Sequence, residues 1–390
     1  MISREELRQL ASFECHDSRE LAITFYFMPT TPQDKSHREE TIAAKDLVRR
    51  TIHELNINVG NRDAIRDLEK VLELAERLHG NQARGKAVFA CGPRGIWHDF
   101  DVPVVAASTK LFVNRRFHLK PLAPVFSEYP RLWIALVDRQ RARFLELQFD
   151  GLREQSAITN TTPRHGRSDG YAGYDGGHAQ RHEQNEVLRH YRKIAEFLKD
   201  SAEKNLYEAL VVGCHDVNWP GFQNELHPDL QKKLLGRFSA DMSALTDAQA
   251  GREAERIVQA SLSQHHQLLL REAVDAARGN GLGVTGLRRV LRATELGEVE
   301  TLLMSSEYTA RAVECTACGH LDSHIVPYCP LCGRATRKLD DVCEALVPIA
   351  IKNNIELVLV PRHEAFDRVG NIAALLRFRA DRNTNQLLAS

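Results

Sequence analysis

No stretch of the 390 residues approaches the ~18 consecutive apolar residues that a bilayer-spanning helix requires. The opening residues, MISREELRQLASF, scatter charges where a secretory leader would carry an apolar core. The expectation is a cytoplasmic protein with no membrane partner. Net charge is missing as well: Lys plus Arg and Asp plus Glu both number 52, so bulk attraction to nucleic acid is excluded and phosphate contacts have to come from local patches. The glycine-rich stretch has no Gly-Lys-Ser/Thr, which removes a P-loop, and it lacks the preceding strand and distal acid of a dinucleotide site. No repeat period runs through the chain, so a solenoid is excluded. Four of the eight cysteines, Cys15, Cys91, Cys214 and Cys343, stand alone and read as small buried hydrophobes. The adjacency of Cys214 and His215 does not supply the geometry of a catalytic pair.

What is present is enough apolar content, 43%, for two or three α/β domains. AITFYFM at 22–28 reads as a strand. Ile42, Ala44, Leu47, Val48, Ile52 and Leu55 form a helical stripe, and a second helix runs to His79 with Gly80 as its terminator. KAVFACG then restores a strand, and a boundary is drawn near 128. Residues 130–152 read as two strands joined by DRQRAR, YEALVVGC as a buried strand, Leu226 to Gly236 as a helix, and 248–278 as a long charged helix. The next boundary falls near 265. The reading is therefore a mixed α/β chain in three parts: 1–128, 129–265 and 266–390, the last with a cysteine minidomain at 313–336.

Two patterns carry chemistry. Gly166, Gly170, Gly173, Gly176 and Gly177 fall within a short span, which lets the backbone approach a partner without Cβ collisions. From Val187 onward, Val187, Leu188, Tyr191, Ile194, Ala195 and Leu198 make one apolar helical stripe, and Arg181, Arg189, Arg192 and Lys193 lie on the other face. Such a face is either solvated or an RNA-phosphate surface. The second pattern is Cys315-x2-Cys318, ten residues, then Cys329-x2-Cys332. Four thiolates in that spacing suit a tetrahedral structural zinc, with an iron–sulfur centre as the other ion chemistry that fits.

The order of these parts resembles the archaeal and eukaryotic class I release factors and their Pelota relatives, and specifically their bacterial cousins. The central segments are LWIALVDRQRARFLEL, RHGRSDGYAGYDGGHAQRH, the helix to Lys199, ALVVGCHDV and HPDLQKKLLG. In the last third, LGEVETLL (296–303) and VGNIAALLRF (369–378) match, and archaeal members carry a cysteine minidomain where Cys315 to Cys332 stands. The resemblance implies a monomeric ribosome-binding protein whose loop reaches the peptidyl-transferase centre, with an elongation-factor-type GTPase as partner. It places the catalytic tip at Gly176, Gly177 and His178, with histidine replacing the family's glutamine. Arg164, His165, Arg167 and Arg181 then grip rRNA or the tRNA acceptor end, with Arg189, Arg192 and Lys193 as further RNA contacts. The Asn-Ile-Lys-Ser of stop-codon readers has no counterpart; Gln33-Asp34-Lys35-Ser36 is a loop of similar character only. What is left is rescue of stalled ribosomes by peptidyl-tRNA hydrolysis, or occupation of an idle ribosome's A site.

Overall fold

A computed structural model describes residues 4–15, 20–27, 38–58, 62–77, 85–102, 109–122, 131–148, 151–159, 176–361 and 364–380. They form two compact units, one made of Met1–Glu128 with His265–Ser390 and the other of Tyr129–Gln264.

The amino-terminal segment contains α1 (Arg4–Ser12), β1 (Ala22–Phe27), α2 (Arg38–Asn58), α3 (Arg62–Arg77), β2 (Gly85–Cys91), β3 (Ile96–Val102) and β4 (Lys110–Asn114). The strands pair antiparallel in the order β3-β2-β1-β4, with Phe25 opposite Val88 and Leu111. β1 is central and buried on both faces, which is why AITFYF is apolar on both sides of the strand apart from Thr24. Ile23, Phe25 and Phe27 pack on Ala44 and Val48 of α2 and Leu68 and Val71 of α3, while Ala22 and Tyr26 face the opposite layer.

The second unit is a five-stranded sheet with helices on both faces. Its elements are β5 (Leu132–Val137), β6 (Arg141–Gln148), β7 (Gly151–Thr159), α4 (Gly176–Glu203), β8 (Ala209–Cys214), α5 (Trp219–Glu225), α6 (Pro228–Lys233) and β9 (Leu234–Phe238), followed by the first part of α7 (Asp247–Arg278). Strand order is β7-β6-β5-β8-β9; β5, β8 and β9 run parallel, and β6 and β7 continue antiparallel from β5. Alternate residues of β5 serve the two faces. Trp133, Ala135 and Val137 meet α4, α5 and α6, while Leu132, Ile134 and Leu136 meet Ala250, Ala254 and Ile257 of α7. The sequence pattern took Leu226 to Gly236 as one helix. Instead α6 ends at Lys233, and β9 pairs parallel with β8, with Gly236 opposite Val211. Gly236 disfavours a helix, and its missing side chain admits Ile257, whose Cγ2 lies 2.9 Å from where a Cβ would stand.

The carboxy-terminal segment adds β10 (Gly283–Thr285), α8 (Leu287–Glu295), β11 (Val299–Ser305), β12 (Ala312–Cys315), β13 (Leu321–Asp322), β14 (Thr336–Leu339), α9 (Cys343–Lys352), β15 (Glu356–Val360), α10 (Glu364–Asp367) and β16 (Ile372–Leu376). One sheet runs β10-β16-β11-β15, and β13-β12-β14 forms a small ribbon around the cysteines. The sequence pattern treats the two terminal segments as separate α/β parts, yet one apolar cluster runs through both. Leu7, Leu10, Phe117 and Leu119 are joined in it by Met304, Leu346 and Val347. Beside it the Arg116 guanidinium bridges Glu14 at 2.8 Å and Glu314 at 2.7 Å, a pairing that offsets the cost of burying the charges.

Candidate functional site

The glycine-bearing site is built on α4. Val187, Tyr191, Ile194, Ala195 and Leu198 are buried on the sheet, and Tyr191 meets the Phe222 ring edge-on at 5.6 Å. Val187 is the first buried residue of α4 among those whose side chains are described, and it lines a cleft with Asp138 at the carboxyl end of β5. Because α4 returns the chain to the start of β8, which is parallel to β5, the helix runs counter to both. Its amino-terminal stretch, Gly176 to Glu186, therefore continues past the carboxyl ends of those strands by roughly 16 Å at 1.5 Å per residue.

Gly176, Gly177 and His178 are the first three residues of α4, not part of a loop ahead of it. Nothing apolar marks this start, so periodicity begins only at Val187. The intervening Ala179, Gln180, Arg181 and Glu183 are good helix formers, and extending a helix already nucleated costs little. The first turn leaves backbone N–H groups without intrahelical acceptors, and they form the positive end of the helix dipole. The side chains of His178 and Arg181 lie outside the described residues, as do Arg164, His165, Arg167 and Gln33 to Ser36 in full. On the described part of the basic face, Arg189 Nη1 donates to Glu186 Oε1 at 2.7 Å and Arg192 Nε donates to Glu225 Oε2 at 2.9 Å. Lys193 is exposed.

Sequence patterning missed His190 on the same helix, which is fully buried close to the hairpin turn at Arg141; burial pushes its pKa down. It also missed the turn itself. Asp138 Oδ1 accepts the amide N–H groups of Gln140 and Arg141, each at 2.7 Å. The Asp-x-x-Arg spacing between two apolar runs is the signal that could have found this Asx-type turn.

All four sequence-predicted cysteines come together. Their sulfur atoms lie within 4.8 Å of one another, Cys315 to Cys332 at 3.4 Å and Cys318 to Cys329 at 3.7 Å. A tetrahedral zinc with bonds of ~2.3 Å needs sulfur separations of about 3.8 Å, so the donor set fits. The amides of Ala317 and Cys318 both point at Cys315 Sγ at 3.4 Å, and that of Leu331 points at Cys329 Sγ at 3.4 Å. Donation from the Cys318 amide above all pulls the Cys315 thiol down to about 6, which favours the thiolate a metal takes. Each turn closes on a left-handed glycine, Gly319 at φ 73° and Gly333 at φ 71°, a conformation costly for other residues. His320 Nδ1 pairs with Glu295 of α8, and His324 pairs with Asp322 at 3.1 Å. Four cysteines so placed can hold a metal ion such as zinc.

Comparison with known proteins bears on the whole. Peptide chain release factor subunit 1 of Archaeoglobus fulgidus is 23% identical over 295 residues, covering 70% of this chain and 71% of that protein. Its counterpart in Thermococcus onnurineus is 23% identical over 314 residues, covering 71% and 74%. The family model of bacterial archaeo-eukaryotic release factor family 10 matches residues 118–259. The chain is similar to the bacterial archaeo-eukaryotic release factors. The matched residues of this release factor-like chain take in β5 to β9 and all of α4. A solved structure of Archaeoglobus fulgidus Pelota is similar at 14% identity over 76% of this chain and 80% of that one, with a TM-score of 0.34.

Proposed function

We propose that this protein is a translation factor that binds the ribosome and rescues stalled complexes by hydrolysing peptidyl-tRNA, with the Gly176-Gly177-His178 end of α4 in the peptidyl-transferase centre. The observation that carries the reading is the coincidence of the family match with a helix whose glycine-bearing end runs past its sheet. Two glycines let the backbone come close to the ester. The free N–H groups of the first helical turn face the carbonyl oxygen as it gains negative charge, and His178 orders the attacking water through a ring nitrogen. Water adds to the ester carbonyl, the bond to the tRNA 3′ oxygen breaks, and that oxygen leaves as a hydroxyl. The products are a free peptide carboxylate and a deacylated tRNA.

In this reading segments 1–128, 129–265 and 266–390 take the three successive parts of a release factor. Arg164, His165, Arg167, Arg181, Arg189, Arg192 and Lys193 contact RNA, and an elongation-factor-type GTPase delivers the protein. Cys315, Cys318, Cys329 and Cys332 hold a structural zinc, since four protein ligands leave it no open position. Histidine in place of the family's glutamine favours a second reading, in which the same tip occupies an idle ribosome without chemistry.

Release of labelled peptide from purified ribosomes carrying peptidyl-tRNA separates the two. Release by the wild type that Gly177→Ala abolishes, with co-sedimentation retained, supports hydrolysis. Co-sedimentation without any release supports occupation, and failure to co-sediment at low salt sinks both.

A further inference from the structure

We propose that the tip of the cysteine ribbon docks on a basic protein of the ribosome, with Ile325, Tyr328 and Leu331 as its apolar anchors, an inference that rests on the ribosome-binding reading above. These side chains are 50%, 67% and 71% exposed, and they belong to the stretch that leads into and round the second knuckle. The other exposed large apolar side chains among the described residues, such as Val217 and Leu268, stand singly along the chain. Single exposed leucines are ordinary; a group of apolar side chains marks an interaction surface. The frame under this group is fixed. The Pro327 carbonyl accepts the Thr336 N–H at 3.0 Å and the Arg334 carbonyl accepts the Cys329 N–H at 2.7 Å, so the second knuckle is the turn of a short hairpin in which Tyr328 bridges Ala335. Cys329 is buried and turns its sulfur to the other three, and on the alternation of an extended chain its neighbour Tyr328 faces the other way. Leu331 sits inside the turn, its amide directed at Cys329 Sγ at 3.4 Å and its side chain left in solvent. Anchors held on a braced turn lose little conformational freedom on binding.

The charge at the tip favours a cationic protein over RNA. A phosphate surface needs lysine or arginine, and between Arg311 and Arg337 the chain has Arg334 alone. Arg337 itself is taken by Glu314, through Nε at 3.0 Å and Nη2 at 2.6 Å. Arg311 and Lys338 are exposed toward the other end of the ribbon, where Ala312 pairs with Leu339. A divalent ion among four thiolates leaves the centre a dianion, and two of those cysteines, Cys318 and Cys332, are exposed. An apolar tip on an anionic centre repels the RNA backbone. It complements a protein that carries cations, as a protein packed on RNA has to.

The test places a photoreactive p-benzoylphenylalanine at position 328 of the full chain, binds the protein to purified bacterial ribosomes and irradiates it. Mass spectrometry identifies crosslinked protein, and primer extension identifies crosslinked rRNA. One basic ribosomal protein is the expected product. Leu331→Asp is expected to abolish that crosslink and to weaken co-sedimentation by about tenfold, the effect of losing a central apolar anchor. Leu268→Asp, at an exposed leucine of α7, serves as control and leaves both unchanged. Zinc content and urea midpoint verify that Leu331→Asp keeps its metal and fold; if it does not, Ile325→Asp, which lies outside both knuckles, replaces it. Crosslinks confined to rRNA, to an acidic protein or to a second copy of this chain overturn this inference alone. So does a wild-type affinity retained by the folded aspartate variant, or co-sedimentation with no crosslink at all. Absence of wild-type co-sedimentation overturns the ribosome-binding reading together with it.

Discussion

The sulfur atoms of Cys315 and Cys332 lie 3.4 Å apart although the two residues are 17 positions apart in the chain and belong to separate turns, each with its own amide-to-sulfur bond. Such proximity without a covalent link is what a shared ion explains. Elemental analysis is expected to find about one zinc per chain, and Cys318→Ser or Cys332→Ser to lose it. Chelation is expected to lower the thermal midpoint, with recovery on adding zinc, because binding to the folded state alone is folding free energy. Iron, or no metal, contradicts the assignment.

Gly177→Ala distinguishes a reactive tip from an ordinary helix start. Within a helix, glycine is about 1 kcal/mol less favourable than alanine, so the substitution is expected to raise or preserve thermal stability while eliminating peptide release. Retained release shows that the glycine serves no close approach.

Gly213 of β8 has no room for a side chain. A Cβ there would stand 2.6 Å from Leu136 Cδ2 and 2.7 Å from Phe238 Cζ, on the two neighbouring strands. Gly213→Ala is expected to cost about 1–3 kcal/mol by overpacking, read from the urea midpoint. An unchanged midpoint means that Phe238 shifts freely.

Buried histidines make stability fall in acid. Burial pulls His118 down to about 3 and also lowers His190 and His266. Their unfolded counterparts titrate near 6.5, so the unfolded chain takes up protons first as pH drops below that value. Stability contributed by the neutral rings is complete above about pH 6.5 and declines by up to ~1.4 kcal/mol per pH unit for each ring, for His118 down to about pH 3. Urea midpoints measured across this range in wild type and His118→Gln check it; parallel curves refute the role of His118.

The buried strands and the cysteine knuckles were legible because each has a local signature. β1, β5 and β8 are buried throughout and almost wholly apolar, with Thr24 the polar exception, and the knuckles depend on spacing alone. β7, reading GLREQSAIT, stayed hidden because its mixed side chains give no clear alternation, and so did β3 and β4 at the sheet edges. The extension of α4 back to Gly176 was illegible for the converse reason. A helix leaving its sheet has no buried face to write into the sequence. The cleft by Asp138 depends on Met242 and Val187, which are distant in sequence from the turn and come to it only through the fold.

The apolar cluster that joins Leu7 and Phe117 to Leu346 and Met304 has a bearing on biosynthesis. Domains generally fold as units during synthesis, but here the earliest side chains to emerge wait for partners encoded near the end of the message. The intervening sheet around β5 and β8 can close first. A nascent chain halted midway thus carries a finished centre and an amino-terminal sheet with one face packed on α2 and α3 and the other, around Leu7, Tyr26 and Phe117, still without its carboxy-terminal partners.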